Sequence, residues 1–400
     1  MKKNVLHIEL NQDGTIGGSY FSLLTTIRCL HNSEYLSQVM FYQNNALSEK
    51  FKCFGIFPII WKKPTAICLK PQKSVLRVPL LIYQKLYNFF LTIILPLLNS
   101  IIFLHKNPID LVHLNNTATA GFEWLIAAKI LGKKCITHQR GFAEASWFNQ
   151  ILAKRFDTII CISESIRNSL EDLGITSNLK MLYNCIDVEE FNNTIKKDAQ
   201  EIRNEFGIDH NEHLIGIVGN FQAWKGQITV IKAVNIVKKT FPNLKCLLIG
   251  DVSMVSENDR NYFESVKREV QANYLEDNVI FTGYRTDVAD IVNSLDLLIH
   301  SSIRPEPFGR VIIEGMSLRR PIIATNMGGP MEIIQNGISG LLIPPADPYE
   351  LANAIEYLIK NPEERKKFGE NAFQRVLKIF SFEEYGISLK KIYHEVLSEN

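Results

Sequence analysis

The fold class is decided near the start of the chain, where Val5-Leu6-His7-Ile8-Glu9-Leu10 leads into Asp13-Gly14-Thr15-Ile16-Gly17-Gly18 and then into helical spacing from Ser19 to Leu30. A short strand, a glycine turn and a helix form the opening of a β-α-β unit. The same order recurs at later short apolar runs, at Leu111–Leu114, Lys134–Thr137 and Thr158–Ile162. This repetition predicts a doubly wound parallel sheet of α/β class with helices on both faces.

The second half of the chain repeats the pattern. A polar, charged segment around 187–205 has no apolar period, and we interpret it as a linker between domains. Strands are predicted after it at Leu214–Val218, Lys245–Ile249, Val279–Phe281, Leu297–Ile299, Ile322–Ala324 and Gly340–Ile343. Helices are predicted between these strands, and the last ones lie near Pro348–Lys360, Pro362–Lys378 and Phe382–Leu397.

A length of 400 residues suits two domains of about 150 residues or more each. We predict Rossmann-like domains at 1–188 and 200–378, and a C-terminal helix within 379–400 that packs back toward the first domain. Two such sheets facing each other leave a cleft, and open α/β sheets bind ligands at the carboxyl ends of their strands.

The composition excludes several classes of protein. Hydrophobic residues make up 46% and charged residues 22%, which rules out a disordered chain, a collagen and a small disulfide scaffold. The net charge of +2 does not call for a nucleic-acid partner. The apolar run at Asn4–Leu10 is short and contains His7 and Glu9, so we expect a first strand rather than a signal peptide, and a cytoplasmic location.

The strongest local signal for chemistry is Arg304-Pro305-Glu306-Pro307-Phe308-Gly309-Arg310-Val311-Ile312-Ile313-Glu314. Glu306 lies in a Pro/Gly turn, and Glu314 lies in a helix that should begin near Gly309. The first N–H groups of that helix, from about Phe308 to Arg310, suit a phosphate, and a carboxylate beside them suits sugar or ribose hydroxyls. Taken alone, the motif is equally compatible with a capped surface helix whose carboxylates are solvated.

Further glycine turns accompany this motif. Lys225 follows the strand Ile215–Val218 in such a turn, where it can reach a cleft and neutralise a diphosphate, although a single lysine is more often a solvated charge. Gly328-Gly329 and Gly17-Gly18 form two more turns of the same kind. Together these turns are predicted to line one cleft with backbone sites of phosphate size.

In their order, these motifs resemble the C-terminal half of glycosyltransferase family 4. The resemblance is dense in VGNFQAWKGQ at 218–227, Gly250-Asp251, Phe281–Tyr284, EPFGRVIIE at 306–314, ATNMGGPMEII at 324–334 and NGISGLLIPPADPYELANAI at 336–355. In the first half it is thin and rests on Gly17-Gly18, Asp110–His113, Thr137-His138, Ser163-Glu164 and Asn184–Asp187. It implies a GT-B fold, in which two Rossmann-like domains face each other across a cleft, and a retaining enzyme that uses a sugar nucleotide.

The resemblance also implies roles for the matching residues. Glu306 would bind hydroxyls of the donor sugar, Lys225 would bind the diphosphate and stabilise the leaving group, and His138 would lie near the reacting sugar. We treat these three as the catalytic candidates, although His138 by itself could equally be a satisfied buried histidine. The donor-binding candidates are Gly18, Asn220, Tyr284, Arg285, Phe308, Gly309, Arg310 and Glu314.

Among the donor-binding candidates, Glu314 would hold the ribose and Gly18 would let the first loop approach the phosphates closely. Tyr284 and Arg285 lie where the nucleobase usually packs. One departure from the family pattern is Asn220, which stands where an arginine usually partners the lysine. Either another cation, Arg285, Arg304 or Arg310, replaces that charge, or donor binding is weaker.

The segment Lys50–Lys106 contains nine basic residues and no Asp or Glu, and Leu86–Leu104 within it carries no charge. Three interpretations stay open. The segment could form buried core helices, a helix pair lying on an anionic membrane surface, or a membrane span of about 20 residues.

We therefore predict a retaining glycosyltransferase. It would transfer a sugar from a nucleotide-diphosphate sugar to a glycan or a lipid-linked glycan, in the synthesis of cell-surface polysaccharide or lipopolysaccharide, in the cytoplasm or on the inner face of the plasma membrane. No cofactor or metal is expected, since the sequence has no DxD motif and no cluster with metal-ligand spacing. The alternatives are a GT-B-fold sugar-nucleotide epimerase and a non-catalytic sugar-nucleotide-binding protein.

Overall fold

The computed structural model describes residues 2–11, 18–44, 48–68, 77–144, 146–252 and 256–398. The chain divides into two compact units, one of residues 1–182 with 385–400 and one of residues 183–384. The division falls a few residues before the expected boundary at 188, because Ile186 N donates to Phe380 O and Ile186 bridges Ser381. The segment that follows Leu182 therefore belongs to the second unit.

The described part of the first unit contains a parallel sheet in the order β3-β2-β1-β4-β5-β6-β7. Its strands are β1 (Lys3–Glu9), β2 (Tyr35–Phe41), β3 (Ile59–Ile60), β4 (Leu111–Asn116), β5 (Lys134–Gln139), β6 (Thr158–Cys161) and β7 (Leu179–Met181). β4 and β5 run two residues further than predicted, because Asn115 pairs with His138 and Asn116 with Gln139. The strand order reverses between β1 and β4, so this is the switch point where a doubly wound sheet opens a crevice.

The helices of this unit are α1 (Gly18–Leu30), α2 (Ser48–Lys52), α3 (Arg77–Phe89), α4 (Leu95–Lys106), α5 (Phe122–Ile130), α6 (Trp147–Ala153) and α7 (Glu164–Asp172), and α1, α5 and α7 pack on the sheet. A π-helical segment, Phe90–Ile94, joins α3 to α4. One core cluster forms where apolar residues of α1 pack on β2 and α2, through Tyr20, Leu23, Ile27, Val39, Phe41 and Phe51.

The second unit contains a parallel sheet in the order β10-β9-β8-β11-β12-β13 within the described residues. Its strands are β8 (His213–Val218), β9 (Leu244–Ile249), β10 (Val279–Gly283), β11 (Leu297–His300), β12 (Ile322–Thr325) and β13 (Leu341–Ile343). All of these strands were predicted within two residues at each end. The order reverses between β8 and β11, which places a second switch point at the carboxyl ends of these two strands.

The remaining helices are α8 (Val188–Asn193), α9 (Ala199–Glu205), α10 (Gln227–Val237), α11 (Glu257–Ala272), α12 (Val288–Ser294), α13 (Arg310–Ser317), α14 (Pro330–Ile333), α15 (Pro348–Lys360), α16 (Pro362–Ile379) and α17 (Phe382–Ser398). The segment 187–205, which we interpreted as a linker between domains, belongs to the second unit and contains α8 and α9. Asp187 caps α8, and Asp198 forms a capping box with Glu201 at the start of α9. Side-chain caps supply hydrogen bonds that compensate for the missing apolar period.

The long apolar segment of the first unit is not buried. Within the described residues, Leu80–Lys106 is the one helical stretch long and apolar enough to cross a membrane, yet only 11% of its apolar window is buried. Leu86 is 66% exposed and Phe89 57% exposed, whereas α4 turns Ser100 and Leu104 inward and packs on α5. The interpretation as buried core helices is therefore wrong for α3 and the π-helical segment.

Candidate functional site

Lys225 and Glu306 meet at the switch point of the second sheet. Lys225 ends a short 3-10 turn, Ala223–Lys225, after β8, and Glu306 lies in the loop between β11 and α13. The Lys225 Nζ lies 2.7 Å from Glu306 Oε2, and both side chains are largely buried. Because parallel strands end at the same edge, neighbouring β8 and β11 bring residues 81 positions apart into one ion pair.

Glu306 uses one carboxylate oxygen for internal contacts. Oε2 also accepts from Ser302 Oγ at 3.3 Å and lies 3.4 Å from His300 Nε2. Burial alone would raise the pKa of Glu306, but the contact with His300 and the charge of Lys225 outweigh it and lower the pKa to about 2. Oε1 has no partner among the residues that the structure describes, so an ionised oxygen is available to accept from a ligand hydroxyl.

The loop that carries Glu306 is held by close backbone packing on Gly328 and Gly329. Gly329 N donates to Glu306 O at 2.8 Å, and Glu306 and Gly328 form a parallel bridge. A Cβ on Gly328 would lie 2.3 Å from Glu306 O, and one on Gly329 would lie 2.3 Å from Phe308 O. These contacts show that the glycine pair supports the Glu306 loop, and its predicted role in lining a phosphate site stays a prediction.

The start of α13 is shaped for an anion. Gly309 caps the helix with φ 101°, a left-handed conformation that glycine adopts without a Cβ clash. The backbone N–H groups of Phe308 and Gly309 have no acceptor among the described residues, and the Phe308 ring is buried against Tyr183 and Phe380. Two unpaired N–H groups at a helix start favour bound negative charge.

The turn that carries Lys225 is equally constrained. Ser301 Oγ donates to Lys225 O at 3.0 Å, and a Cβ on Gly226 would lie 2.1 Å from Ser301 O. The Lys225 Nζ lies 3.9 Å from the centroid of the Trp224 ring. The ammonium is thus fixed by a carboxylate and an aromatic face, each of which stabilises its charge.

Two further donor-binding candidates, Glu314 and Arg310, lie on the first turns of α13. Arg310 lies 3.5 Å from Glu314 Oε1 in an i, i+4 pair, and both side chains are partly exposed. Asn220, the position of the missing arginine, is exposed at the end of β8, and its backbone carbonyl accepts from Gln227.

Arg285 and Tyr284 follow β10. Arg285 pairs with both oxygens of Asp287 at 2.8 and 2.6 Å and also contacts Glu205 Oε1 at 2.6 Å. The Arg285 guanidinium is thus held in an ion cluster with Asp287 and with Glu205 at the end of α9. Arg285 is therefore a weak candidate for replacing the arginine charge missing at Asn220. Tyr284 is 74% exposed, so its ring presents a face on which a base could stack.

His138 belongs to a buried chain of hydrogen bonds in the first unit. His138 Nδ1 lies 2.8 Å from His113 Nε2, and His113 Nδ1 bonds the hydroxyl of Tyr393 on α17. Burial lowers the pKa of His113 and His138 well below the usual value and raises the pKa of Tyr393, so all three groups are neutral near neutral pH.

The donor and acceptor of each hydrogen bond in this series follow from the partners that Tyr393, His113 and His138 have. Tyr393 has no other partner for its proton among the described residues, so its hydroxyl donates to His113 Nδ1. His113 then carries its proton on Nε2 and donates to His138 Nδ1, which leaves the proton of His138 on Nε2. That atom is buried without a partner. This series of hydrogen bonds thus leaves His138 with a proton on Nε2, where it can donate to a ligand.

The switch point of the first sheet holds Glu9, next to the start of α1 at Gly18. The Glu9 carboxylate accepts from Asn115 Nδ2 and from Ser19 Oγ, and Arg140 Nε donates to Asn115 Oδ1 at 2.9 Å. Burial raises the pKa of Glu9 to about 6 despite these bonds. Gly17, the other half of the predicted glycine pair, lies outside the described residues.

Two family models match the chain. Residues 198–375 match the model for glycosyl transferases group 1, and residues 66–190 match the model for glycosyltransferase family 4. The chain belongs to glycosyltransferase family 4.

Relatives of this family 4 protein agree with that assignment. It is 29% identical to the N-acetyl-alpha-D-glucosaminyl L-malate synthase of Bacillus anthracis over 246 residues, which is 61% of each chain. It is 27% identical to the capsular polysaccharide biosynthesis glycosyltransferase CapM of Staphylococcus aureus over 251 residues, 60% of this chain and 62% of that one. The matches thus span less than two thirds of the length of these curated relatives.

The fold is shared along the whole length with Anabaena HepE, solved in complex with UDP. The TM-score is 0.79 at 22% identity, over 99% of this chain and 100% of that one. The two parallel sheets of this family 4 chain are therefore the two Rossmann-like sheets of a GT-B fold, as the sequence predicted.

The structure brings together a subset of the predicted residues. Lys225 and Glu306 are in direct contact, and Phe308, Gly309, Arg310 and Glu314 follow Glu306 along the loop and first turns of α13. Arg285 is engaged in a separate ion cluster, and His138 and Gly18 belong to the first unit. The roles of His138, Gly18, Asn220 and Tyr284 in donor binding stay predictions of the family resemblance.

Sequence reasoning missed His300 and Ser302, which contact Glu306. It also did not connect His113 to Tyr393. A signal for His300 and Ser302 existed, since both come just after the apolar part of β11, where a parallel sheet places ligand contacts. No local signal links Tyr393 to His113, because they are 280 positions apart.

Proposed function

We propose that the protein is a retaining glycosyltransferase that moves a sugar from a nucleotide-diphosphate sugar to a hydroxyl of a glycan or lipid-linked glycan. The observation that carries the proposal is the Lys225–Glu306 pair next to unpaired N–H groups at the start of α13. The similar Anabaena HepE was solved with UDP and with UDP-glucose, and CapM is named for capsular polysaccharide biosynthesis. The HepE complexes support a nucleotide-sugar donor, and the name of CapM supports a role in cell-surface polysaccharide assembly.

The residues suggest how the transfer proceeds. The bond from the sugar's anomeric carbon to the diphosphate oxygen breaks while the acceptor oxygen bonds the same carbon on the same face. The acceptor's proton passes to the departing phosphate. Lys225 Nζ and the N–H groups of Phe308 and Gly309 stabilise the charge that develops on the phosphate. Glu306 Oε1 accepts a hydrogen bond from a sugar hydroxyl. This contact orients the sugar, and Glu306 does not act as a nucleophile.

The proposal includes no metal ion. A diphosphate needs positive charge opposite it, and Lys225 with the start of α13 supplies that charge from the chain itself. We expect donor binding and turnover to be unchanged by EDTA, measured by titration calorimetry and by release of the nucleotide diphosphate. A donor affinity that falls on chelation and returns with Mg²⁺ would contradict this part of the proposal.

The test of the function follows a sugar nucleotide by proton NMR. The purified chain is incubated with UDP-, GDP- and ADP-glucose, with and without a lipid extract as acceptor, and the anomeric coupling constant of the first product is read. A product with the anomeric configuration of the donor supports a retaining transferase. Inversion contradicts retention, conversion of the intact sugar nucleotide without acceptor indicates an epimerase, and donor binding without turnover indicates a non-catalytic protein.

We further propose that the protein acts at the inner face of the plasma membrane, bound through 50–106. The exposed apolar side chains of α3 and the π-helical segment suit the acyl boundary, and Lys62, Lys85 and Lys106 suit anionic headgroups at about 1 kcal/mol each. Pelleting with anionic vesicles should occur at low salt and weaken at high salt. Leu86→Glu should reduce it, whereas Leu377→Glu, an exposed leucine of α16, should not. No pelleting at low salt would refute membrane binding.

A further inference from the structure

A cavity of about 820 Å³ opens at the carboxyl edge of the first sheet, apart from the residues assigned to the donor. It lies between the chain that follows β2 and β3 and the π-helical segment. Its polar wall includes Lys62, Lys63, Thr65 and Tyr42, and Thr92 of the π-helical segment lines it as well. Single π-helical turns inside α-helices often mark functional positions.

The loop that forms the cavity wall is fixed in place. The Asn88 side chain accepts from Ile67 N and donates to Ile67 O, both at 2.9 Å, so α3 clamps the loop. Trp61 N donates to Phe41 O at 2.7 Å, and the Trp61 ring packs on Phe103 and Trp124. Asn88 interrupts the apolar run of the helix, and this clamp explains why a polar residue lies there.

The two lysines of the cavity differ in their partners. Lys63 Nζ pairs with buried Glu123 at 2.6 Å and lies 4.5 Å from the Tyr42 ring centroid, while the Tyr42 hydroxyl donates to the same carboxylate. Lys62 has no ion-pair partner among the described residues, and no carboxylate is found among the residues that line the cavity. One positive charge is therefore left uncompensated at the cavity wall, which favours an anion.

An apolar surface adjoins this charge. Phe89 is 57% and Phe90 46% exposed, and they lie three and two residues before Thr92 on the same continuous helical stretch. A simple anion would use the lysine and leave these rings in water, and a simple hydrocarbon would leave Lys62 unused. An amphiphile with an anionic head and a hydrocarbon tail uses both surfaces.

We propose that this cavity binds the phosphate or diphosphate head of a lipid that carries the acceptor glycan, with Lys62 as the contact to the head and the exposed side of α3 and the π-helical segment along the tail. The identification of this lipid as the acceptor rests on the proposed glycosyltransferase function. The site itself rests on the cavity, the Asn88 clamp and the unpaired lysine. This proposal narrows the acceptor from any glycan to a glycan that is linked to a phosphorylated lipid.

The test titrates the full chain with farnesyl diphosphate, farnesol and inorganic diphosphate. Tryptophan fluorescence reports binding, since Trp61 lies between Ile60 and Lys62, which both line the cavity. Farnesyl diphosphate should bind at least about tenfold more tightly than either fragment, because only it uses both surfaces. Lys62→Ala should weaken its binding about tenfold, whereas Lys154→Ala, at an exposed lysine that ends α6 outside the cavity, should leave it unchanged.

Three results would overturn the inference. Equal affinity for inorganic diphosphate would mean a site for a free anion, equal affinity for farnesol would mean an apolar surface alone, and unchanged binding in Lys62→Ala would place the ligand elsewhere. Binding of the sugar nucleotide is measured in the same Lys62→Ala protein. If the protein binds a sugar nucleotide but does not bind the lipid through Lys62, the lipid site is refuted and the proposed glycosyltransferase function is not. A chain that binds the lipid through Lys62 but no nucleotide supports the lipid site and refutes the proposed function.

Discussion

At the scale of residues, the candidate site depends on how Glu306 divides its two oxygens. Oε2 is held by Lys225, Ser302 and His300, while Oε1 has no partner within the described ranges. The contacts of Oε2 fix the position of Oε1, and the lowered pKa of Glu306 keeps the carboxylate ionised. A carboxylate held in this way can orient a sugar hydroxyl without moving when the ligand arrives.

Replacing either member of this pair should remove transfer. Glu306→Ala and Lys225→Ala should each lower kcat by about 10²–10³-fold, because each removes a contact to the sugar or to the developing phosphate charge. Circular dichroism should show an intact fold. The matched control is Glu356→Ala, which breaks a Glu356–Lys360 pair of the same 2.7 Å length on α15. Near-normal turnover in both site variants would show that the pair does not carry the reaction.

Gly328 offers a test of the loop that positions Glu306. Gly328→Ala puts a Cβ 2.3 Å from Glu306 O at φ +67°, whereas Gly337→Ala has nearly the same φ of +74° and nothing within 4 Å. Gly337→Ala should lose roughly 1–2 kcal/mol of stability from backbone strain, and Gly328→Ala should lose more because its Cβ also clashes with Glu306 O. Only Gly328→Ala should also lower kcat/KM, measured by nucleotide release. Equal activity in the two variants would contradict a positioning role for this glycine.

At the scale of elements, the first unit joins α17 to the sheet through Tyr393, His113 and His138. The three residues come from the last helix and from the neighbouring strands β4 and β5. Because the tyrosine proton has one acceptor among the described residues, α17 sets the tautomer of His138 on β5. The same helix is anchored by Tyr385, whose hydroxyl bonds Thr26 of α1 at 2.7 Å.

Tyr393→Phe should change the tautomer of His138. Loss of the hydroxyl leaves His113 Nδ1 without its donor, so His113 can exchange its proton between ring nitrogens and His138 no longer holds its proton on Nε2 alone. Ring ¹⁵N shifts should report this at neutral pH, with about 1–3 kcal/mol of lost stability. Tyr385→Phe should lose a similar bond and leave the His138 shifts unchanged. Unchanged shifts in Tyr393→Phe would refute the relay.

At the scale of the whole molecule, local patterns predicted most of the fold. The six strands of the second unit were each marked by a short apolar run between turn residues, so the sheet could be predicted strand by strand. β2 and β7 were missed because Ser37 and Gln38 in β2 and Lys180 in β7 interrupt their apolar runs, and β3 was missed because it is only two residues long. α8 and α9 were missed because capping, rather than an apolar face, starts them.

The site was predictable only in part, for a related reason. Glu306, Gly309 and Glu314 lie in one continuous motif, so the sequence groups them. The partners of Glu306 come from other strands of the parallel sheet, and Arg285 is drawn away by Asp287 and Glu205. Such contacts depend on strand order, which sequence spacing does not contain. Exposure of α3 likewise depends on what packs against it, and its composition fits a core helix equally well.

The measurement that tests the central claim most directly is a thermal-shift screen against UDP, GDP, ADP and CMP and their sugar conjugates, without metal. A ligand at about 100 times its Kd stabilises the native state by roughly 2.7 kcal/mol, so Tm should rise by several degrees with one nucleotide family. That shift should disappear in Lys225→Ala and persist in Glu356→Ala. A flat screen, or an equal shift in Lys225→Ala, would contradict the assignment of the donor site to Lys225, Glu306 and the start of α13.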